Sequence, residues 1–189
     1  MRDKAVFTTG EAARICKLSQ QTIIRCFDSG QLEGFRVPGS RFRRVPRGNL
    51  IKFMRDNNIP MDGFGDDRFR VLVVDDEPEI VELFVDALEA DGRFEVSTAQ
   101  TGYEAGMLTE KFRPDIVILD YLLPDINGTA VCRTIRSQPE LGGVKILAIS
   151  AIANPAEEED LMAAGADAFL KKPFNIEQVI ERILELVRA

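Results

Sequence analysis

From Arg70 onward, short apolar runs alternate with longer stretches whose apolar residues recur at helical spacing. The runs predict strands at Val71–Val74, Phe94–Ser97, Ile116–Leu119, Lys145–Ile149 and Ala168–Leu170. The amphipathic stretches predict helices at Glu79–Ala90, Gly102–Phe112, Thr129–Ser137, Glu157–Ala164 and Ile176–Val187. Apolar runs without alternation suit strands buried on both faces, as in parallel sheets. Strand–helix units in succession then predict an α/β domain over residues 69–189, a flavodoxin-like five-stranded parallel sheet in order 2-1-3-4-5. Such a sheet presents its functional groups at the carboxyl ends of strands 1, 3, 4 and 5.

Residues 1–57 follow a different rhythm. Thr8 can cap a helix and Glu11, three residues later, completes a capping box, followed by apolar Ala12, Ala13 and Ile15. Lys17-Leu18-Ser19 breaks that helix, and Ser19 can cap a second over Gln20–Asp28 with Ile23, Ile24 and Phe27 inward. Two short helices joined tightly form a helix-turn-helix unit. Gln20, Gln21, Thr22 and Arg25 on the second helix are residue types that reach base edges and phosphates. Phe35, Val37 and Phe42 then alternate with arginines around Pro38-Gly39, which predicts a β-hairpin with its apolar residues inward and Arg36, Arg41 and Arg43 or Arg44 outward. Leu50, Ile51, Phe53 and Met54 should close the small core. Residues 58–68 are rich in turn-formers and predict a linker, with Phe64 free to dock on a domain.

Charge sharpens this division. The net −7 splits into 12 Lys/Arg against 6 Asp/Glu over residues 1–65, and 12 against 25 over the remainder. The basic segment, with Arg36, Arg41, Arg43, Arg44 and Arg47 close together, is a candidate for a polyanion. A solvated basic face is the bland alternative. The absence of histidine removes His-based acid–base chemistry and His-containing zinc sites. Cys16, Cys26 and Cys132 form no CxxC pair and read as free thiols. No apolar run approaches the roughly 20 residues that span a bilayer, and no signal-peptide core follows Met1, so a cytoplasmic protein is expected, with no membrane partner.

The stretch Val71-Leu72-Val73-Val74-Asp75-Asp76-Glu77-Pro78 ends a strand in three carboxylates. By itself it is either a solvated acidic turn or a site for a hard cation such as Mg²⁺. Asp120, Ser150 and Lys172 stand at the ends of three other predicted strands, on the same sheet edge. Together they make a phosphorylation site, with Asp120 as the nucleophile. Mg²⁺ is expected on Asp76 and Asp120, with Asp75 helping through water and Glu77 as helix-start charge, while Ser150 and Lys172 bond the phosphoryl oxygens.

The motifs "VLVVDDEP", "DIVILDYLLPDINGTAVCRTIR", "ILAISA" and "GADAFLKKPF" resemble response-regulator receiver domains over residues 70–188. The resemblance implies phosphotransfer to Asp120 from a sensor histidine kinase or a phosphotransfer protein, with the Leu122 carbonyl as a further metal ligand and Phe169 as a switch aromatic moving with Ser150. Residues 7–57, with "GEAAR" and the hairpin arginines, resemble the winged helix-turn-helix domains of excisionases and the mercury-resistance (MerR) regulators. The expected protein is a phosphoacceptor rather than a dedicated enzyme: a DNA-binding response regulator acting on double-stranded DNA and controlling transcription. The alternatives are an architectural protein of excisionase type and a phosphorylation-gated protein–protein adaptor. Apolar Leu122 and Ile152, two residues past Asp120 and Ser150, predict slow autodephosphorylation, since neither can orient water. One winged helix covers little DNA, so phosphorylation is expected to promote a homodimer.

Overall fold

The computed structural model describes residues 4–61, 64, 68–151 and 155–189. The chain forms two compact units, one of Met1–Arg68 with Leu88–Phe94, the other of Phe69–Ala87 with Glu95–Ala189.

In the first unit, β1 (Val6–Thr8) leads directly into α1 (Thr9–Cys16), followed by α2 (Gln20–Asp28), β2 (Phe35–Arg36), β3 (Arg43–Pro46) and α3 (Arg47–Asp56). The capping box forms: Thr8 Oγ1 accepts from the Glu11 amide at 3.2 Å, and Glu11 Oε2 accepts from the Thr8 amide at 2.9 Å. Such a cap contributes about 1 kcal/mol. Lys17, with φ 54°, turns the chain out of α1, and Ser19 Oγ accepts from the Thr22 amide to start α2. The strands make an antiparallel sheet in order β1-β3-β2. Strand β1 was not predicted. Three residues are too few to show alternation, and Phe7 pairs with Val45, distant in sequence. Phe7, Ile23, Val45, Leu50 and Met54 are fully buried together, and Phe64 packs edge-on against Phe7 at 5.5 Å between ring centres.

The hairpin corrects one expectation. Phe35 and Phe42 do not turn inward but are 48 % and 67 % exposed. Strand β2 is only two residues long, with both residues exposed, and the chain turns back at Gly39 with φ 73°. Gly34 is required at its base, because a Cβ there would collide with the Arg44 carbonyl.

The second unit is a parallel sheet of β4 (Phe69–Val74), β5 (Phe94–Ala99), β6 (Ile116–Asp120), β7 (Lys145–Ser150) and β8 (Ala168–Lys171). Helices α4 (Pro78–Asp91), α5 (Gly102–Phe112), α6 (Gly128–Ser137), α7 (Pro155–Ala163) and α8 (Ile176–Arg188) connect and follow the strands, and a short 3₁₀ turn at Pro139–Leu141 precedes β7. The order is β5-β4-β6-β7-β8, the predicted 2-1-3-4-5. Parallel pairing aligns Val73, Ile118 and Leu147 across the centre, which brings the carboxyl ends of β4, β6 and β7 to one edge. Every residue of β6 is buried, as its unbroken apolar run requires. Among the described residues, no helix is long and apolar enough to cross a membrane.

Candidate functional site

Four strands deliver the site. Asp75 follows β4, Asp120 ends β6, Ser150 ends β7 and Lys172 follows β8. Asp75, Asp120 and Ser150 are 3 %, 7 % and 2 % exposed, a burial that polar groups tolerate only when partnered. Lys172 Nζ is the common partner, 2.9 Å from Asp75 Oδ2 and 2.9 Å from Asp120 Oδ1. The other Asp120 oxygen accepts from the Leu122 amide at 2.7 Å, and Asp75 Oδ1 accepts from the Glu77 amide at 2.9 Å. The Lys172 amide donates to the Ser150 carbonyl, tying the loop after β8 to the end of β7.

The electrostatics follow from this packing. Burial holds the Asp120 carboxyl above its ordinary pKa, against the lowering effect of its bond to Lys172. Burial alone would lower Lys172, but its bonds to Asp120 and Asp75 outweigh that and hold the ammonium above the ordinary lysine value. An Asp120 carboxylate gripped at both oxygens is held in one orientation, and the adjacent ammonium can bond an anionic group brought beside it.

Not every expected metal ligand lies in this buried set. Asp76 is exposed beside the buried Asp75, and among the described residues no three metal-ligating side chains gather at one point. The donors are nevertheless all oxygens (the Asp75, Asp76 and Asp120 carboxylates and the Leu122 carbonyl), a chemistry that fits Mg²⁺, and here Lys172 supplies the positive charge between Asp75 and Asp120. Glu77 does more than charge the start of α4: its Oε1 lies 3.2 Å from Lys172 Nζ. Leu122 is 54 % exposed, Phe169 is half-buried against the sheet's core, and Ile152 lies outside the described residues.

Sequence reasoning missed Asp125. It accepts from the Gly102 and Tyr103 amides at 2.8 and 2.9 Å, fastening the loop after Asp120 to the start of α5. These bonds, the Gly102 one first, hold its carboxyl below the usual range. Gly102 itself permits the approach, since a Cβ there would strike Ile126. The pairing spans 22 and 23 residues and has no local signature.

In the first unit, Gln20, Gln21 and Arg25 are exposed on α2, and Thr22 is half-buried near its start. Gln20 Nε2 donates to Thr9 Oγ1, and Thr22 Oγ1 lies 2.8 Å from Ser19 Oγ, so both also hold the turn between the helices. Arg41 is exposed, and Arg44 is half-buried with its guanidinium 5.9 Å from the Phe42 ring centre. Arg36 and Arg43 both bind Asp28. Arg47 is a correction. Proposed from sequence as a DNA contact, it is fully buried, its Nη2 donating to the Phe64 carbonyl at 2.8 Å and its guanidinium 4.5 Å from the Phe64 ring centre. At the first position of α3 its side chain points into the core, where it satisfies backbone carbonyls and cannot meet a phosphate.

Comparison with known proteins gives two family matches. A response regulator receiver domain matches residues 71–184, and a helix-turn-helix domain matches residues 6–58. Among curated relatives, the DNA-binding dual master transcriptional regulator RpaA of Synechocystis is 31 % identical over 63 % of this chain and 49 % of its own length. The phosphate regulon transcriptional regulatory protein PhoB of Rhizobium meliloti is 34 % identical over 63 % of this chain and 52 % of its own. The chain thus spans about half the length of each. Among solved structures, a CheY-like response regulator receiver domain protein from Methanospirillum hungatei is 29 % identical with a TM-score of 0.60, covering 64 % of this chain and 94 % of that one.

Proposed function

We propose a function from one premise: the chain belongs to the response regulator receiver family and carries a helix-turn-helix domain ahead of its receiver. It accepts a phosphoryl group on Asp120 from the phosphohistidine of a sensor kinase or phosphotransfer protein, and it controls transcription through its winged helix-turn-helix domain on double-stranded DNA. The observation that carries the reading is the buried Asp120 carboxylate held between Lys172 and the Leu122 amide. An Asp120 oxygen attacks phosphorus as the bond to the donor imidazole breaks, and the imidazole leaves with that electron pair. Lys172 and Ser150 then bond the phosphoryl oxygens. Asp76, Asp120 and the Leu122 carbonyl, with Asp75 beside them, would hold Mg²⁺, which would supply charge neutralisation.

The DNA-binding transcriptional role in the name of RpaA and the transcriptional regulatory role in that of PhoB support a similar output here, as do the exposed Gln21, Arg25 and Arg41 of the basic domain. The protein works in the cytoplasm, where its kinase and DNA partners meet. Phosphorylation joins two copies through the face of α7, β8 and α8, so that two winged helices read two half-sites. Exposed, apolar Leu122 supplies no group to orient water, which favours a phosphoryl lifetime of minutes rather than seconds.

The test is genome-wide mapping of DNA occupancy for the wild type and Asp120→Asn under kinase-activating conditions. The reading expects wild-type sites upstream of transcription units, depleted in the variant. Equal occupancy by both proteins overturns the phosphorylation coupling, and sites confined to recombination junctions overturn the transcriptional role.

A further inference from the structure

Asp28 stands exposed at the end of α2, in a segment that carries 12 Lys/Arg against 6 Asp/Glu over residues 1–65. Its carboxylate is nevertheless engaged at both oxygens. Oδ1 accepts from Arg36 Nη2 at 2.8 Å and from Arg43 Nε at 3.0 Å, and Oδ2 accepts from Arg43 Nη2 at 2.7 Å. Arg36 and Arg43 are paired across the β2–β3 ladder, where facing like charges repel. Asp28 offsets that repulsion, and its two-oxygen fork on Arg43 is the directional, charge-assisted kind of bond. The Arg43 guanidinium also lies 5.9 Å from the Phe27 ring centre, so it is held from two sides. Among the described residues, Arg25 and Arg41 form no ion pair.

We propose that Asp28 is a positioning residue of the DNA-binding surface: it binds Arg36 and Arg43 into a strut between the end of α2 and the wing, withholds both cations from DNA phosphates, and leaves phosphate contact to Arg25, Arg41 and Arg44. The inference rests on the DNA-binding reading above. The strut fixes the wing against the helix that reads bases. It also limits sequence-independent affinity, because that affinity grows with each phosphate neutralised while base contacts do not change. Asp28 thereby sets the balance between specific and non-specific binding.

The test uses the full-length chain with a generic duplex and a selected site, over a range of salt. Each neutralised phosphate adds about 0.9 to the slope of log affinity against log salt. Asp28→Asn frees two guanidinium groups, so its slope on generic duplex should steepen by about 1.8, which deepens the loss of affinity between about 50 and 200 mM salt by roughly tenfold. The ratio of specific to generic affinity should fall. Adding Arg36→Ala to Asp28→Asn should take back about half of the extra slope, and Arg41→Ala alone should make the wild-type slope shallower by about 0.9. A wild type that binds DNA while Asp28→Asn has an unchanged or shallower slope overturns the role of Asp28 and leaves the DNA reading intact. A wild type with no salt-dependent affinity for duplex DNA overturns both.

Discussion

Replacing Lys172 by Met keeps most of the side chain's stem and removes the ammonium that Asp75 and Asp120 share. The Lys172, Asp75 and Asp120 side chains are 13 %, 5 % and 9 % exposed, so water can do little to screen what is left. Breaking a buried ion pair by removing one partner costs about 3–5 kcal/mol. The residual exposure of Lys172 argues for the lower end, about 3 kcal/mol, or a fall of roughly 10 °C in the receiver's melting temperature. The pH dependence has a definite sign. Lys172 is raised in the folded state, so its contribution is complete below the ordinary lysine pKa and disappears as pH climbs through the folded value. Asp120 is raised by burial even against Lys172, and losing Lys172 raises it further. A group of that kind favours the folded state most when protonated, so the variant's deficit should narrow from neutral pH toward about pH 5. Mg²⁺ should narrow it too, because carboxylates freed of the Lys172 ammonium bind the cation more tightly and so gain more folded-state stabilisation than the wild type does. Urea and thermal unfolding of the full-length chain, with EDTA or Mg²⁺, measure each part. A variant within about 0.5 kcal/mol of wild type in EDTA at neutral pH, or a deficit that does not narrow on acidification, would refute this account of the charge balance.

Two further outcomes concern other groups. Arg47→Ala should destabilise the first unit by about 2–3 kcal/mol through the loss of buried charge-assisted hydrogen bonds, with the salt slope for DNA unchanged at matched folded fraction; a shallower slope would restore Arg47 as a phosphate contact. Burial pushes the thiols of Cys16 and Cys132 up to about 11, so both should resist iodoacetamide at about pH 8 until the protein is unfolded, and fast native labelling followed by mass spectrometry would contradict their packing.

The receiver was legible because its chemistry sits where periodicity changes. Asp120 and Ser150 end a strand and Asp75 and Lys172 directly follow one, and parallel pairing alone brings such strand ends to one edge. The helix-turn-helix was legible from its caps, since Thr8, Glu11 and Ser19 act on residues only three positions away. What escaped depends on direction or distance. Arg47 shares the composition of its basic neighbours, and nothing local says that the first residue of α3 turns inward to the Phe64 carbonyl. Asp28 finds its partners 8 and 15 residues on, through a hairpin whose register the sequence leaves open. Phe35 and Phe42 alternate as buried residues do, yet the short strand leaves them uncovered. Glu77 was assigned to the helix start because its reach to Lys172 crosses the sheet edge, 95 residues away in sequence.

The central claim is that Asp120 is the phosphoacceptor, and intact-mass and peptide-level mass spectrometry after incubation with phosphoramidate test it most directly. The account predicts Mg²⁺-dependent gain of one phosphoryl group, mapped to Asp120, absent from Asp120→Asn and slowed in Lys172→Met. Phosphoryl uptake by Asp120→Asn at the wild-type rate, or none by a folded wild type with Mg²⁺ present, would contradict it.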